Sequence, residues 1–255
     1  MRLVVLGSGT SVPHPRRASA SHWLEARGGT LLLDCGAAAV HRMAQEGCDW
    51  ASLDAVWISH FHLDHVGGLP AFLFGTRHAP QTRGRRKPLT IYGAGGLEKL
   101  LRAFDAANDY KLFEQPFPLR VQEISPLESF EPLAGLRART LPTPHKPESL
   151  ALRLDEAETG ASFVYTSDTG YADALVEFSR GTSLLLAECS FPFDKPVETH
   201  LELADAMRLA RLASPRRVVL SHLYPEWDDH ELEAEAKKLW DGETLEARDG
   251  LRLEI

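Results

Sequence analysis

The segment Ser59-His60-Phe61-His62-Leu63-Asp64-His65 places three histidines and one aspartate within six consecutive positions. Neutral imidazole and carboxylate are the ligands expected of Zn²⁺ and similar borderline cations, so this density points to a metal site rather than to isolated packing histidines. In an extended loop alternate residues face one way, which lets His60 and His62 share one ion. Asp64 and His65 then fall on the following turn and reach a second ion. Three more residues recur in strand-end or Pro-fixed settings: His145 in Pro142-Thr143-Pro144-His145, Asp168 in Thr166-Ser167-Asp168-Thr169-Gly170, and His222 in Val218-Val219-Leu220-Ser221-His222. Together they complete two coordination spheres that the first cluster leaves unfinished.

These side chains need elements to carry them. Short apolar runs at 3–6, 30–33, 55–58 and 89–92 read as strands, with helices predicted over 37–46 and 96–106. The later half repeats the theme. Residues 150–154 and 163–165 form an expected hairpin around Glu158-Thr159-Gly160, and 183–187 and 218–220 are buried strands by their continuous apolar character. A helix is predicted over 201–212, and an acidic amphipathic helix over 229–240. The histidine motif follows one strand directly, at the C-terminal end where open α/β sheets place their ligand sites. Two βαβ-rich halves of similar order predict an α/β four-layer αββα sandwich, one domain spanning 1–255.

A chain of 255 residues can bury a sizeable core without disulfides or other staples. Its net charge of −8 argues against coating nucleic acid with the whole surface, although residues 77–87 hold Arg77, Arg83, Arg85, Arg86 and Lys87 and no acid. No apolar run approaches the length of a membrane span, and the first residues are too strand-like for a signal peptide. Three scattered cysteines (Cys35, Cys48 and Cys189) give no disulfide framework or CxxC site, and fit a reducing cytoplasm. His41 in a helix, His78 in the basic loop 77–87 and His230 in the acidic helix read as surface or packing histidines; His14 and His22 lie near the Gly7-Ser8-Gly9 turn and receive no role.

The order His-x-His-x-Asp-His, then His, Asp and His resembles the metallo-β-lactamase superfamily, more narrowly the branch of ribonuclease Z and related phosphodiesterases. The likeness extends through Leu6-Gly7-Ser8-Gly9-Thr10 and Leu31-Leu32-Leu33-Asp34-Cys35-Gly36. It implies that His60, His62 and His145 hold one metal, that Asp64, His65 and His222 hold a second, and that Asp168 bridges them. The cofactor implied is a pair of divalent ions, Zn²⁺ first and Mn²⁺ as the alternative. Two such ions lower the pKa of a shared water and stabilise charge building on phosphoryl oxygens. Asp64 would also accept the water's proton. Thr199-His200-Leu201 is similar to that branch's Gly-His-Ser/Thr segment, which makes His200 the general acid for the leaving alkoxide. Glu188, closing the strand before it, would orient His200.

The chain departs from that branch at two places. Its transfer-RNA-processing members insert a long arm between the ligands matching His145 and Asp168, whereas here the two lie only 23 positions apart. The branch's Asp-Cys-Gly-Glu-Gly-Thr-Gln run is reduced to Asp34-Cys35-Gly36-Ala37-Ala38-Ala39-Val40. A small phosphodiester, a cyclic nucleotide or nucleotide ester, is therefore expected ahead of RNA, with no membrane partner; a homodimer is compatible with this reading. Two alternatives remain open, a ribonuclease Z-type tRNA 3′ endonuclease and a lactonase or thioesterase using the same dimetal site. Lactonase relatives usually flank the third histidine with glycine, and this chain has Pro144-His145-Lys146-Pro147 instead. A non-catalytic metal sensor would be expected to lack a ligand or Asp64, and none is missing.

Overall fold

The computed structural model describes residues 1–255, and alternation of apolar side chains is what divides it into layers. The strands are β1 (Arg2–Gly7), β2 (Ser21–Ala26), β3 (Gly29–Leu33), β4 (Ala55–Ile58), β5 (Leu89–Ala94), β6 (Leu119–Ile124), β7 (Ser129–Leu133), β8 (Leu136–Pro142), β9 (Leu150–Glu156), β10 (Ser162–Tyr165), β11 (Leu184–Glu188), β12 (Arg217–Ser221), β13 (Glu243–Glu246) and β14 (Arg252–Glu254). They form two seven-stranded sheets, ordered β14-β1-β2-β3-β4-β5-β6 and β13-β12-β11-β10-β9-β8-β7. Each sheet is antiparallel through its hairpins (β14 to β3, and β7 to β10) and parallel beyond them.

Because successive strand residues face opposite sides, Leu31 and Leu33 enter the core between the sheets while Leu32 faces outward. The inner core joins both sheets, with Leu3, Val5 and Trp57 from one and Leu152, Phe163 and Leu186 from the other. Outside the first sheet, α1 (Ala39–Gln45), α2 (Leu63–Val66), α3 (Leu69–His78) and α4 (Leu97–Ala106) cover Val4, Leu6, Val56 and Ile58. Outside the second, α5 (Asp173–Ser179), α6 (Leu203–Ala213) and α7 (Leu232–Lys237) cover Val164, Leu185, Ala187 and Leu220. Three apolar seams separate four layers, the αββα sandwich. No helix is long and apolar enough to cross a membrane.

Three expectations need correction. The helix expected over 229–240 is a 3₁₀ turn, Pro225–Asp229, followed by the shorter α7. His230 and Glu231 between them have non-helical backbone angles (φ −127°, ψ 141° and φ −88°, ψ 88°), so the backbone does not run on as one helix. His230 is therefore outside any α-helix, and His78 ends α3 instead of lying in the basic loop. Six strands were also not anticipated: β2, β6, β7, β8, β13 and β14. In β8 the alternation is plain, since Leu136, Ala138 and Thr140 are buried and Arg137 and Arg139 exposed.

Candidate dinuclear metal centre

The parallel strands carry the site. β4, β10, β11 and β12 all end toward the same edge of the sandwich, followed by His60, Asp168, the Glu188 strand end and His222. β8 is antiparallel to β9, which is antiparallel to β10, so β8 delivers His145 to that edge as well. His60 and His62 lie in the loop after β4, and Asp64 and His65 on α2. Gly36 makes room for this: a Cβ there would meet the Asp64 carbonyl at 2.5 Å, so the Asp34-Cys35-Gly36 turn can pack on the histidine motif. Asp34, Ser167 and His222 adopt left-handed backbone angles (φ 57°, 55° and 58°), conformations that non-glycine residues hold only where the surroundings impose them.

All seven anticipated ligands converge. His60, His62, His145 and Asp168 each offer an atom within 4.8 Å of the others, and so do Asp64, His65 and His222. Asp168 recurs in a third group with His200 and His222. Hydrogen bonds behind the rings fix what faces inward. His65 Nδ1 donates to Asp34 Oδ2 at 2.7 Å, and His145 Nδ1 to the Thr199 carbonyl at 3.0 Å. The Ser59 hydroxyl donates to Asp34, leaving its oxygen to accept from His60 Nδ1 at 3.1 Å. Likewise the Ser190 hydroxyl donates to Glu188 and accepts from His222 Nδ1 at 3.1 Å. In their neutral form, the one a metal ligand needs, these four rings therefore turn an Nε2 lone pair to the centre.

Lone pairs so placed fit a cation. His65 Nε2 faces His222 Nε2 at 3.4 Å, and His145 Nε2 faces His62 Nδ1 at 3.2 Å. Asp168 Oδ1 lies 3.2 Å from His65 Nε2 and 3.3 Å from His222 Nε2, yet receives no aligned hydrogen bond. His60 Nε2 is likewise buried and unpartnered. Buried polar atoms without partners are costly, and divalent ions held among these groups would satisfy them.

The electrostatics divide the rings. Burial holds His60, His62 and His145 below the ordinary imidazole pKa, the neutral form that a metal needs. Burial also opposes charge on His65, but Asp168 and Asp34 outweigh it and raise that ring well above the ordinary value. Burial would raise Asp64, yet hydrogen bonding from His222 and the nearby His65 bring it down to about 2. Asp168 is held well below the usual carboxylate range because His222 and His65 overcome its burial.

The other two anticipated residues adjoin the cluster. Glu188 Oε1 accepts from His200 Nδ1 at 3.0 Å, and its other oxygen from the Leu201 backbone at 3.1 Å. His200 precedes α6 by a short bridge, instead of opening the helix. Sequence reasoning missed Asp34, Ser190 and Tyr165 as supports, and it missed His22, buried beside Tyr165 and pushed down to a pKa of about 3 by burial and by His65. The basic loop stays apart from the site. Arg85 donates to the carbonyls of Ala51 and Leu53, and Lys87 pairs with Asp54, all before β4 and at its opposite end from His60.

A family model described as Anti-Pycsar protein Apyc1 matches residues 1–241. Ribonuclease Z of Methanosarcina acetivorans is 25% identical over 309 aligned positions, covering 100% of this chain and 98% of that protein. The Bacillus subtilis protein named probable metallo-hydrolase YhfI is 27% identical, covering 98% of both. The crystal structure of that metallo-β-lactamase-fold protein superposes with a TM-score of 0.80 at 24% identity, covering 99% of this chain and 98% of the other. Human tRNase Z, short form, superposes at 0.79 with 21% identity, covering 100% and 99%.

Proposed function

This chain belongs to the Anti-Pycsar protein Apyc1 family, a metal-dependent hydrolase of the metallo-β-lactamase superfamily, and we propose that it cleaves small phosphodiesters, a cyclic nucleotide or nucleotide ester. The observation that carries the choice is the interval from His145 to Asp168, which holds the β9–β10 hairpin and no arm. The alignment with the archaeal ribonuclease Z is longer than this chain, so the relative has residues with no counterpart here.

In this reading His60, His62 and His145 would hold one divalent ion and Asp64, His65 and His222 a second, with Asp168 available to both; the nitrogen and oxygen donors suit Zn²⁺, with Mn²⁺ second. Bound there, the ions would activate a water and stabilise phosphoryl charge. Asp64, a carboxylate that His222 and His65 hold below its ordinary pKa, would take up the proton of the attacking water. His200 delivers a proton to the leaving oxygen. Glu188 fixes the His200 tautomer by accepting from Nδ1, so the other nitrogen is free to face substrate. Both spheres draw on both sheets, which makes residues 1–255 one catalytic unit.

A second reading, tRNA 3′ processing, is favoured by relatives named ribonuclease Z that cover nearly the whole chain. A hydrolysis panel separates the readings: cyclic nucleotides, bis-p-nitrophenyl phosphate, pre-tRNA, a homoserine lactone and a thioester, each with Zn²⁺ or Mn²⁺. Turnover confined to the lactone or thioester would remove the phosphodiesterase reading.

A further inference from the structure

Beside the histidine and aspartate cluster lies a cavity of about 450 Å³, open between His62, His145 and His200 on one side and Phe191, Val197 and Tyr224 on the other. Its volume is within the roughly 300–1,000 Å³ of small-molecule sites. Phosphoryl transfer by itself needs only the polar side. The opposite side is built differently. Phe191 and Tyr224 stack with ring centroids 4.9 Å apart and planes 23° apart. Phe191 is buried and Tyr224 half-buried, so the inner ring backs the outer one.

The pair is held firmly. The Tyr224 backbone N–H donates to the Ser190 carbonyl, and the Phe191 carbonyl accepts from Leu203 at the start of α6. It is also close to the chemistry, with the Tyr224 ring 6.0 Å from that of His222 and 6.2 Å from that of His200. Val197, 43% exposed, extends the apolar side. Lys146, next to His145, adds a cation on the polar side, where a phosphate would lie. A ligand that suits both sides has an anionic phosphodiester joined to a planar aromatic group.

We infer that the wall formed by Tyr224 and Phe191 is a nucleobase subsite, against which the base of a single unpaired nucleotide packs while its phosphodiester reaches the metal cluster. This rests on the phosphodiesterase reading and adds what it leaves open, the part of the substrate that is not phosphate. Stacking of a base on an aromatic side chain is sequence-tolerant, because every base has a π-face, so the subsite selects for a base more than for its identity.

The test compares a 3′,5′-cyclic nucleotide with the corresponding base-free cyclic ribose phosphate, using the metal-loaded protein. The wild type should prefer the base-bearing substrate in kcat/KM by about 5- to 150-fold, expressed mainly in KM. In Tyr224→Leu that preference should fall to near one, whereas Tyr224→Phe should keep it and Tyr224→Trp should keep or enlarge it. Equal turnover of both substrates by the wild type, or an unchanged preference in Tyr224→Leu with Tyr224→Trp indistinguishable from wild type, would overturn the subsite and leave the phosphodiesterase reading standing. Cleavage of neither substrate would overturn both.

Discussion

Asp34 and His65 are joined by a 2.7 Å hydrogen bond in which the imidazole Nδ1 donates to the carboxylate, and both side chains are fully buried. The same oxygen accepts from the Tyr165 hydroxyl at 2.7 Å and from Ser59 at 2.8 Å. A carboxylate behind a histidine fixes the ring's tautomer and strengthens its inward nitrogen as a ligand. Asp34 is thus the residue on which one side of the proposed centre depends, although it touches no ion.

Asp34→Asn keeps the shape of that contact and removes its charge. Metal affinity should fall by about 10- to 100-fold, the usual cost of losing such a partner. Graded competition with a chelator, read as metal bound per chain, measures it. Wild-type retention would reduce Asp34 to a packing residue.

Asp168 lies beside histidines of both anticipated coordination spheres, 3.7 Å from His60 and from His145 and 3.3 Å from His222. Asp168→Ala should therefore lower the occupancy of both ions in elemental analysis of the purified protein. Loss of only one ion per chain would assign it to a single sphere, and full double occupancy would remove it from the ligand set.

The parts of this fold legible in the sequence are those whose physical signal is contiguous. The runs at β4 and β11 are buried on both faces and read as strands without context, and the histidine motif is concentrated in one loop. β13 and β14 hold only exposed and half-buried positions, and β6 and β7 bury only their last residues, so their alternation is too weak to separate from loop. Asp34 illustrates the limit for the site. An aspartate before Cys35-Gly36 at a strand end reads as a turn residue, and its real partner is 31 positions away. His22 had no signal at all, because only the pairing of β2 with β1 and β3 buries it.

The absence of an arm between His145 and Asp168 has a direct consequence for substrate choice. At equal enzyme concentration, cyclic nucleotides and bis-p-nitrophenyl phosphate should be cleaved at least ~10-fold more efficiently than pre-tRNA, which relies on remote binding energy to reach its transition state. Accurate and efficient removal of a tRNA 3′ trailer would show that another surface grips the tRNA body.

The pH profile should expose Glu188. Burial disfavours the His200 imidazolium, but the hydrogen bond and charge of Glu188 outweigh it and raise the ring above its ordinary value of 6.5. A general acid must be protonated, so kcat should hold as pH rises past 6.5 and fall only through the raised pKa. In Glu188→Gln the raising charge is gone and burial remains, so the basic limb should move to lower pH. A limb that does not move would separate Glu188 from the proton donor.

His200 itself stands beside Asp168 and His222, close enough to be a ligand, yet its Nδ1 is committed to Glu188 and neither anticipated sphere needs it. As general acid, His200→Ala should leave metal content unchanged while lowering kcat by roughly 10²- to 10⁴-fold. The loss should shrink for p-nitrophenolate, which departs without a proton, and persist for an alkoxide such as the ribose oxygen of a cyclic nucleotide. Measuring kcat on both leaving groups together with metal per chain distinguishes the possibilities. A variant that sheds metal makes His200 a ligand, and one fully active on the alkoxide substrate makes it a packing residue between Glu188 and His145.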